Sequence, residues 1–146
     1  MLCRQVALRR NPGKFMNKLL VIEDDPTMTK LLQNIFTSDT YSVISAGTAA
    51  EGFRSCLEVL PDLVLMAVVL PDGSGIDQCR VMKENQHIKH IPIIVLTTAS
   101  TSAEDRMRIL ESGAEGYMRK PFLNDELAAQ VAGALKRSHK GEGQAP

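Results

Sequence analysis

The sequence contains no tryptophan and few other aromatic residues, which narrows the functions open to it. Of its 146 residues, two are tyrosine and four are phenylalanine, so little material is available for stacking nucleic acid bases. Lysine plus arginine and aspartate plus glutamate each total 17, so no net charge draws the chain to nucleic acid or to an anionic membrane. No stretch approaches the roughly 18 consecutive apolar residues of a membrane-spanning helix. The sequence therefore predicts no direct nucleic acid partner and no membrane partner.

Cysteine is also scarce. Cys3, Cys56 and Cys79 make an odd number and form no CxxC pair, which argues against a disulfide framework and against a zinc site. His87 and His90 lie in a polar stretch without a third ligand nearby, so we interpret them as surface residues. These features favour a cytoplasmic protein whose thiols serve in packing.

The length and the distribution of polar residues predict one folded domain with two polar ends. Residues 1–17 are basic and lack the apolar centre of a signal peptide, so we interpret them as a flexible extension. Residues 18–137 are numerous enough for a single packed core. Residues 138–146 are polar and are expected to be a disordered tail or the stub of a linker.

Short apolar runs alternate with amphipathic segments along residues 18–137. The predicted strands are 18–22, 41–45, 63–70, 91–96 and 114–118, and the predicted helices are 26–36, 48–58, 76–84, 102–110 and 124–135, with N-caps at Asp25, Thr48, Ser102 and Asn124. The central run, Leu63–Leu70, has no polar side chain, which is typical of a strand buried on both faces. Five strands that alternate with five helices predict an α/β fold with a parallel sheet.

Charged and hydroxyl side chains follow several of the predicted strands. Glu23 and Asp24 come after the first strand, Ala67 lies in the third, Thr97 follows the fourth and Lys120 the fifth. In such sheets the carboxyl ends of the strands form the ligand-binding crevice. Two carboxylates suit Mg²⁺, while a hydroxyl and an ammonium suit phosphoryl oxygens. The acidic run could instead be a favourable negative start of a helix.

Four motifs in this order resemble the receiver domain of two-component response regulators, over about residues 18–136. They are LLVIEDDP (19–26), PDLVLMAVVLPDGSG (61–75), IIVLTTAS (93–100) and GAEGYMRKPF (113–122). The resemblance implies a flavodoxin-like, doubly wound sheet with strand order 2-1-3-4-5. It also implies that such domains accept a phosphoryl group from a histidine kinase on an aspartate at the end of the third strand.

The resemblance assigns roles to individual residues at matching positions. Glu23 and Asp24 resemble the acidic pair that holds Mg²⁺, and the main-chain carbonyl of Val69 would be a further metal ligand. Thr97 resembles the hydroxyl that follows the phosphoryl group, and Lys120 the cation that pairs with it.

Two further expectations follow from the same resemblance. Thr97 and Tyr117 resemble a switch pair in which the rotamer of the aromatic ring reports the state of the domain. Tyr117 could equally be an ordinary half-buried aromatic residue. The Lys120-Pro121 peptide bond would often be cis in such domains, an isomer open to it because the second residue is proline.

The sequence departs from the family pattern at the phosphoacceptor, because position 67 holds alanine. A methyl group can neither form an acyl phosphate nor ligate a metal. Asp62 begins the strand at the opposite edge of the sheet, Asp72 follows the turn after it, and Asp25 is the predicted helix cap, so none simply replaces the missing carboxylate. The chain is then a natural pseudo-receiver or a phospho-dead variant of a normal receiver.

The loss of one carboxylate is expected to weaken or abolish Mg²⁺ binding, because fewer clustered negative charges attract the cation. Lys120 is then expected to pair with Asp24. The implied partners are a histidine kinase or histidine phosphotransfer protein and a downstream effector, which would bind the face formed by the fourth helix, fifth strand and fifth helix, residues 102–135. A homodimer is open as well.

Such a module is not an enzyme. The alternative is a small flavodoxin-like enzyme or a cofactor-binding protein. It would require a nucleophile on the third strand or loops rich in glycine, serine and threonine for a cofactor phosphate, and the sequence supplies neither.

Overall fold

The computed structural model describes residues 16–37, 40–98 and 100–144, with the backbone alone for 139–144. The predicted N-terminal extension lies outside these residues except for its last two positions, and so do the final two residues of the predicted tail. None of the helices formed by the described residues is long and apolar enough to cross a membrane.

The described residues form a five-stranded parallel sheet and five helices, which confirms the flavodoxin-like α/β prediction. The strands lie in the order β2-β1-β3-β4-β5. They are β1 (Asn17–Ile22), β2 (Tyr41–Ala46), β3 (Leu63–Ala67), β4 (Ile93–Thr97) and β5 (Gly116–Arg119). The helices are α1 (Pro26–Ile35), α2 (Ala49–Val59), α3 (Gly75–Glu84), α4 (Ala103–Glu111) and α5 (Asn124–Gln144).

The sheet has an apolar core on each face. Successive side chains of a strand point to opposite faces, so Leu20 and Ile22 of β1 pack with α2, α3 and α4. Leu19 and Val21 pack with α1 and α5 on the other side. This two-sided burial explains why the inner strands β1, β3 and β4 contain continuous apolar runs, whereas the edge strands β2 and β5 are only partly buried and carry polar residues.

Side-chain caps start three helices as predicted. Asp25 accepts a hydrogen bond from the amide of Thr27 at 3.0 Å, and Thr48 and Ser102 accept equivalent bonds from the third residue beyond each at 3.0 Å. The predicted cap at Asn124 is wrong by one residue. The carbonyl of Leu123 already accepts from the amide of Leu127 at 3.1 Å, so Asn124 is the first residue within α5.

The third strand is shorter than the apolar run predicts. It ends at Ala67, because the carbonyl of the next residue, Val68, accepts from the amide of Gly75 at the start of α3 at 2.8 Å and not from the sheet. The last two residues of the predicted strand instead pair antiparallel with Gly73–Ser74. The chain thus folds back over the carboxyl-terminal edge of the sheet.

The last helix is longer than predicted. Its backbone continues to Gln144, beyond Ser138, where we expected a disordered tail to begin. Residues 136–144 contain no proline, so none of them lacks the amide needed for the helical hydrogen bonds.

Candidate functional site

The ends of four parallel strands bring the predicted site residues to one edge of the sheet. Glu23 directly follows β1, Ala67 ends β3, Thr97 ends β4 and Lys120 directly follows β5. These strands are neighbours in the order β1-β3-β4-β5. The topology therefore places Ala67 and Thr97 between Glu23 and Lys120.

The carboxylate of Glu23 is buried and both of its oxygens are engaged. The side chain is 3% exposed, and its amide donates to the carbonyl of Ala46 at 2.9 Å, which holds the residue in register with β2. Oε2 accepts from the amide of Asp25 at 3.1 Å, and Oε1 accepts from Nζ of Lys120 at 2.8 Å. Glu23 is thus committed to contacts within the chain, while Asp24 is exposed.

The Lys120–Glu23 ion pair crosses the sheet. With two strands between β1 and β5 and about 4.8 Å between neighbours, their ends lie roughly 14 Å apart. The two side chains must therefore reach towards each other across the ends of β3 and β4, where Ala67 and Thr97 lie. Our prediction that Lys120 pairs with Asp24 is wrong, because the ammonium contacts the buried neighbour of Asp24.

Thr97 is linked both to β5 and to Lys120, which directly follows that strand. Its main-chain carbonyl accepts from the amide of Lys120 at 2.7 Å. Its hydroxyl donates to the carbonyl of Met118 at 3.5 Å, a long and therefore weak bond. Thr97 is 1% exposed, so its hydroxyl lies within the structure.

Tyr117 is partly buried and packs against the core on the side of α2, α3 and α4. Its carbonyl accepts from Nε2 of Gln130 on α5 at 3.3 Å. The role of Tyr117 and Thr97 as a switch pair stays a prediction. The Lys120-Pro121 peptide bond is cis, as the resemblance implied.

Ala67 lies at the floor of this arrangement with almost no exposed surface, 2%. The start of α3 packs onto its main chain: a Cβ atom built on Gly75 would collide with the carbonyl oxygen of Ala67 and lie 3.0 Å from its carbonyl carbon. Glycine is required here for the close approach of two backbone segments. Residue 67 therefore contributes a buried methyl group and no oxygen from its side chain.

The three aspartates considered as substitutes are engaged elsewhere. Asp62 accepts from the amide of Lys18 at 2.7 Å, at the opposite end of the sheet. Asp25 caps α1. Asp72 accepts hydrogen bonds from the first two amides of α2, so none of the three occupies the end of β3.

Asp72 has a structural role that the sequence analysis did not identify. Its carboxylate accepts from the amides of Ala49 at 2.7 Å and Ala50 at 3.0 Å. Nε2 of Gln78 adds a bond to the carbonyl of Ala49 at 3.2 Å. The two amide bonds lower the pKa of Asp72, since they stabilise its charged form. The only sign of this role in the sequence is that Asp72 follows Pro71 in a turn. The amide of Ala49 that it binds lies 23 residues away in the sequence, so the pairing could not be predicted.

The residues present do not fit a resident Mg²⁺ as they are arranged. Mg²⁺ requires a near-octahedral set of oxygen ligands, usually including one or two free carboxylates. Glu23 has both oxygens engaged, and Ala67 offers no side-chain oxygen. Within the described ranges, no group of three or more histidine, cysteine, aspartate or glutamate side chains could hold a metal ion. The predicted ligand carbonyl of Val69 belongs to the short ladder beyond β3, where Val69 pairs with Ser74.

The predicted effector face carries exposed apolar side chains. Met107 is 59% exposed and Leu110 is 49% exposed, both on α4. The same helix is fixed to its surroundings by Arg106, which donates to the carbonyl of Thr101 at 2.9 Å. Arg108 forms ion pairs with Asp105 at 3.3 Å and with Asp77 of α3 at 3.8 Å.

Comparison with known proteins gives consistent matches. The family model described as the response regulator receiver domain matches residues 19–132. The chain is 36% identical over 121 residues to the DNA-binding response regulator MtrA of Mycolicibacterium smegmatis. The aligned region covers 83% of this chain and 51% of MtrA. The chain thus spans about half the length of the curated relatives that it matches.

Solved structures that match this chain are also described as a response regulator or a receiver domain. A putative response regulator from Chloroflexus aurantiacus superposes with a TM-score of 0.78 at 28% identity, covering 83% of this chain and 98% of that one. The receiver domain of a sensor histidine kinase from Pseudomonas aeruginosa gives 0.75 at 26% identity, covering 83% and 98%. That structure is described with a magnesium ion coordinated in its active site cleft.

Proposed function

This chain belongs to the response regulator receiver domain family, and from that premise we propose that it is a cytoplasmic signalling module that binds partner proteins without being phosphorylated at residue 67. Receiver domains are signalling modules that interact with histidine kinases and effectors, so two-component signalling is the setting. Ala67 is the observation on which the proposal rests: it ends β3 between Glu23 and Lys120, and a methyl group cannot attack a phosphoryl donor.

The remaining residues of the site support an origin in phosphoryl chemistry. Thr97 and Lys120 have the side chains expected for holding phosphoryl oxygens, and they lie at the ends of β4 and β5, the two strands that follow β3 across the sheet. In a receiver that cannot be phosphorylated at this position, the same residues keep a structural role. The pair formed by Lys120 and Glu23 then holds the site in one arrangement.

We further propose that Mg²⁺ binds more weakly to this chain than to an Ala67→Asp variant. The variant regains a third carboxylate beside Glu23 and Asp24, which raises the attraction for a divalent cation. Isothermal titration of Mg²⁺ into both proteins tests this. Equal dissociation constants would contradict it.

The partner surface that we propose is the face of α4, β5 and α5. Its exposed apolar side chains, Met107 and Leu110, are suited to protein contacts, since exposed apolar groups on a rigid helix are typical of interaction sites. We expect a histidine kinase or phosphotransfer protein and an effector as partners, with a homodimer through this face as the alternative. The relatives named as DNA-binding extend well beyond the matched half, so DNA binding is not assigned to this chain.

Phosphodonor treatment tests the proposal. This chain, Ala67→Asp and Ala67→Asn are each incubated with acetyl phosphate and Mg²⁺ and examined by intact-mass spectrometry. We expect one added phosphoryl group on Ala67→Asp alone, because only the carboxylate is a nucleophile, whereas asparagine matches its size. Phosphate on the unaltered chain would contradict the proposal. Nothing at the end of β3 favours the alternative of a small enzyme.

A further inference from the structure

We propose that Lys120 is the resident counter-ion of Glu23 and takes the place of a divalent cation at this edge of the sheet. The inference rests on the proposed function, since it concerns the same site in a receiver without a phosphoacceptor. It makes a distinct claim, however: the charge balance of the site is supplied by the chain itself, and added Mg²⁺ must compete with a lysine.

Burial is the first reason. The side chain of Glu23 is 3% exposed and that of Lys120 is 19% exposed. A buried carboxylate is costly unless it is paired and hydrogen-bonded, and Glu23 meets both conditions through Lys120 and the amide of Asp25. The pair at 2.8 Å has the short distance of a charge-assisted hydrogen bond.

Position is the second reason. The ammonium reaches Glu23 from the far side of β3 and β4, so the pair joins the start of the loop after β5 to the end of β1. The main chain of Lys120 is fixed as well, because its amide donates to the carbonyl of Thr97 at 2.7 Å. The lysine is therefore held at both its backbone and its side chain, across the position of Ala67.

Charge is the third reason. With alanine at position 67, the edge carries the carboxylates of Glu23, Asp24 and Asp25 against the ammonium of Lys120, and these four groups sum to two negative charges. An aspartate at residue 67 would compete with Glu23 for the ammonium and leave more negative charge for a cation to neutralise. Alanine removes that competitor, so the lysine stays on Glu23.

Lys120 and Mg²⁺ should therefore compete for the carboxylate of Glu23, and the effect of removing the lysine on Mg²⁺ affinity can be measured. Mg²⁺ can use the carboxylate of Glu23 only after Lys120 has left it. Removing the ammonium should therefore tighten Mg²⁺ binding, although the substitution also removes a contact of the native fold. If Lys120 only stabilised the fold, its replacement would leave Mg²⁺ binding unchanged or weaken it.

Mg²⁺ titration of Lys120→Met by calorimetry is the test, since methionine keeps the unbranched side chain as far as Cε and removes the ammonium. We expect a dissociation constant about tenfold lower than that of the unaltered chain, as the cation no longer displaces a charge-assisted bond. Lys136→Met, which alters an exposed lysine on α5, is the matched control and should leave the constant unchanged. An equal or higher constant for Lys120→Met would overturn the proposal.

A measurement on the unaltered chain keeps the inference testable if Lys120→Met fails to fold. In amide NMR spectra, Arg119, Lys120 and Phe122 should respond at the same Mg²⁺ concentrations as residues 23–25, because metal binding releases Lys120. A response confined to residues 23–25 would overturn the counter-ion role. Absence of phosphate on Ala67→Asp would instead count against the proposed function and would leave these titrations valid.

Discussion

Gly75 packs its backbone onto the carbonyl of Ala67, and replacing it with alanine is expected to destabilise the domain at the candidate site. A Cβ on Gly75 would collide with the carbonyl oxygen of Ala67 and would lie 3.1 Å from Cα of Val68. The atoms it meets are backbone atoms, which cannot rotate away. The amide of Gly75 is also bonded to the carbonyl of Val68 at 2.8 Å, so the two segments cannot separate without losing that bond.

The magnitude follows from three contributions. Overpacking of a buried position costs about 1–3 kcal/mol, and a weakened buried hydrogen bond adds about 1 kcal/mol. The higher helix propensity of alanine offsets up to about 1 kcal/mol. We therefore expect Gly75→Ala to lower the free energy of unfolding by roughly 1–4 kcal/mol, the range that these contributions span.

Urea denaturation followed by circular dichroism measures this free energy. Gly133→Ala is the matched control, because its Cβ would meet only the terminal Nη1 of the exposed Arg137, at 3.4 Å. We expect that variant to equal or slightly exceed the unaltered chain in stability. If Gly75→Ala unfolded within about 0.5 kcal/mol of the unaltered chain, the usual range for uninvolved surface sites, the close packing of α3 on β3 would be refuted.

Two other predictions concern titratable groups. The pKa of Asp72 is lowered from its usual 3.8 by its two amide bonds, so its stabilising contribution is complete above pH 4 and is lost as pH falls through the lowered value. The stability difference between the unaltered chain and Asp72→Asn should therefore shrink below pH 4 in urea titrations, and a constant difference would contradict this. Burial raises the pKa of Cys56 to about 12 and also raises that of Cys79. The Cys3→Ser variant keeps only these two cysteines, so we expect the folded variant to react slowly with iodoacetamide at pH 8. Rapid labelling of folded protein, seen by mass spectrometry, would show that these thiols are accessible.

The fold was largely predictable because its signals are local. Apolar runs identified the three inner strands, alternating β-forming residues identified the second strand, and short polar residues such as Asp25 and Thr48 identified helix starts. The end of β3 was not predictable in this way. Val68 is as apolar as the strand residues before it, and its amide still donates to the carbonyl of Leu96 at 3.1 Å. Its carbonyl, however, accepts from the amide of Gly75, and this contact between elements cannot be read from the sequence.

The candidate site was predictable in composition but not in its pairings. Strand ends indicated that Glu23, Thr97 and Lys120 lie at one edge of the sheet, and they do. Which acid receives the lysine depends on burial: Glu23 lies within the structure, whereas Asp24 is exposed. The structural role of Asp72 was likewise hidden, because its amide partners belong to a helix distant in sequence.

The central claim is that a receiver site persists around a residue that cannot accept phosphate. Intact-mass spectrometry after acetyl phosphate treatment, with this chain and Ala67→Asp side by side in Mg²⁺, tests it most directly. The account predicts an unchanged mass for this chain and a single added phosphoryl group on the variant. A phosphoryl group on this chain, or none on a folded Ala67→Asp protein, would contradict it.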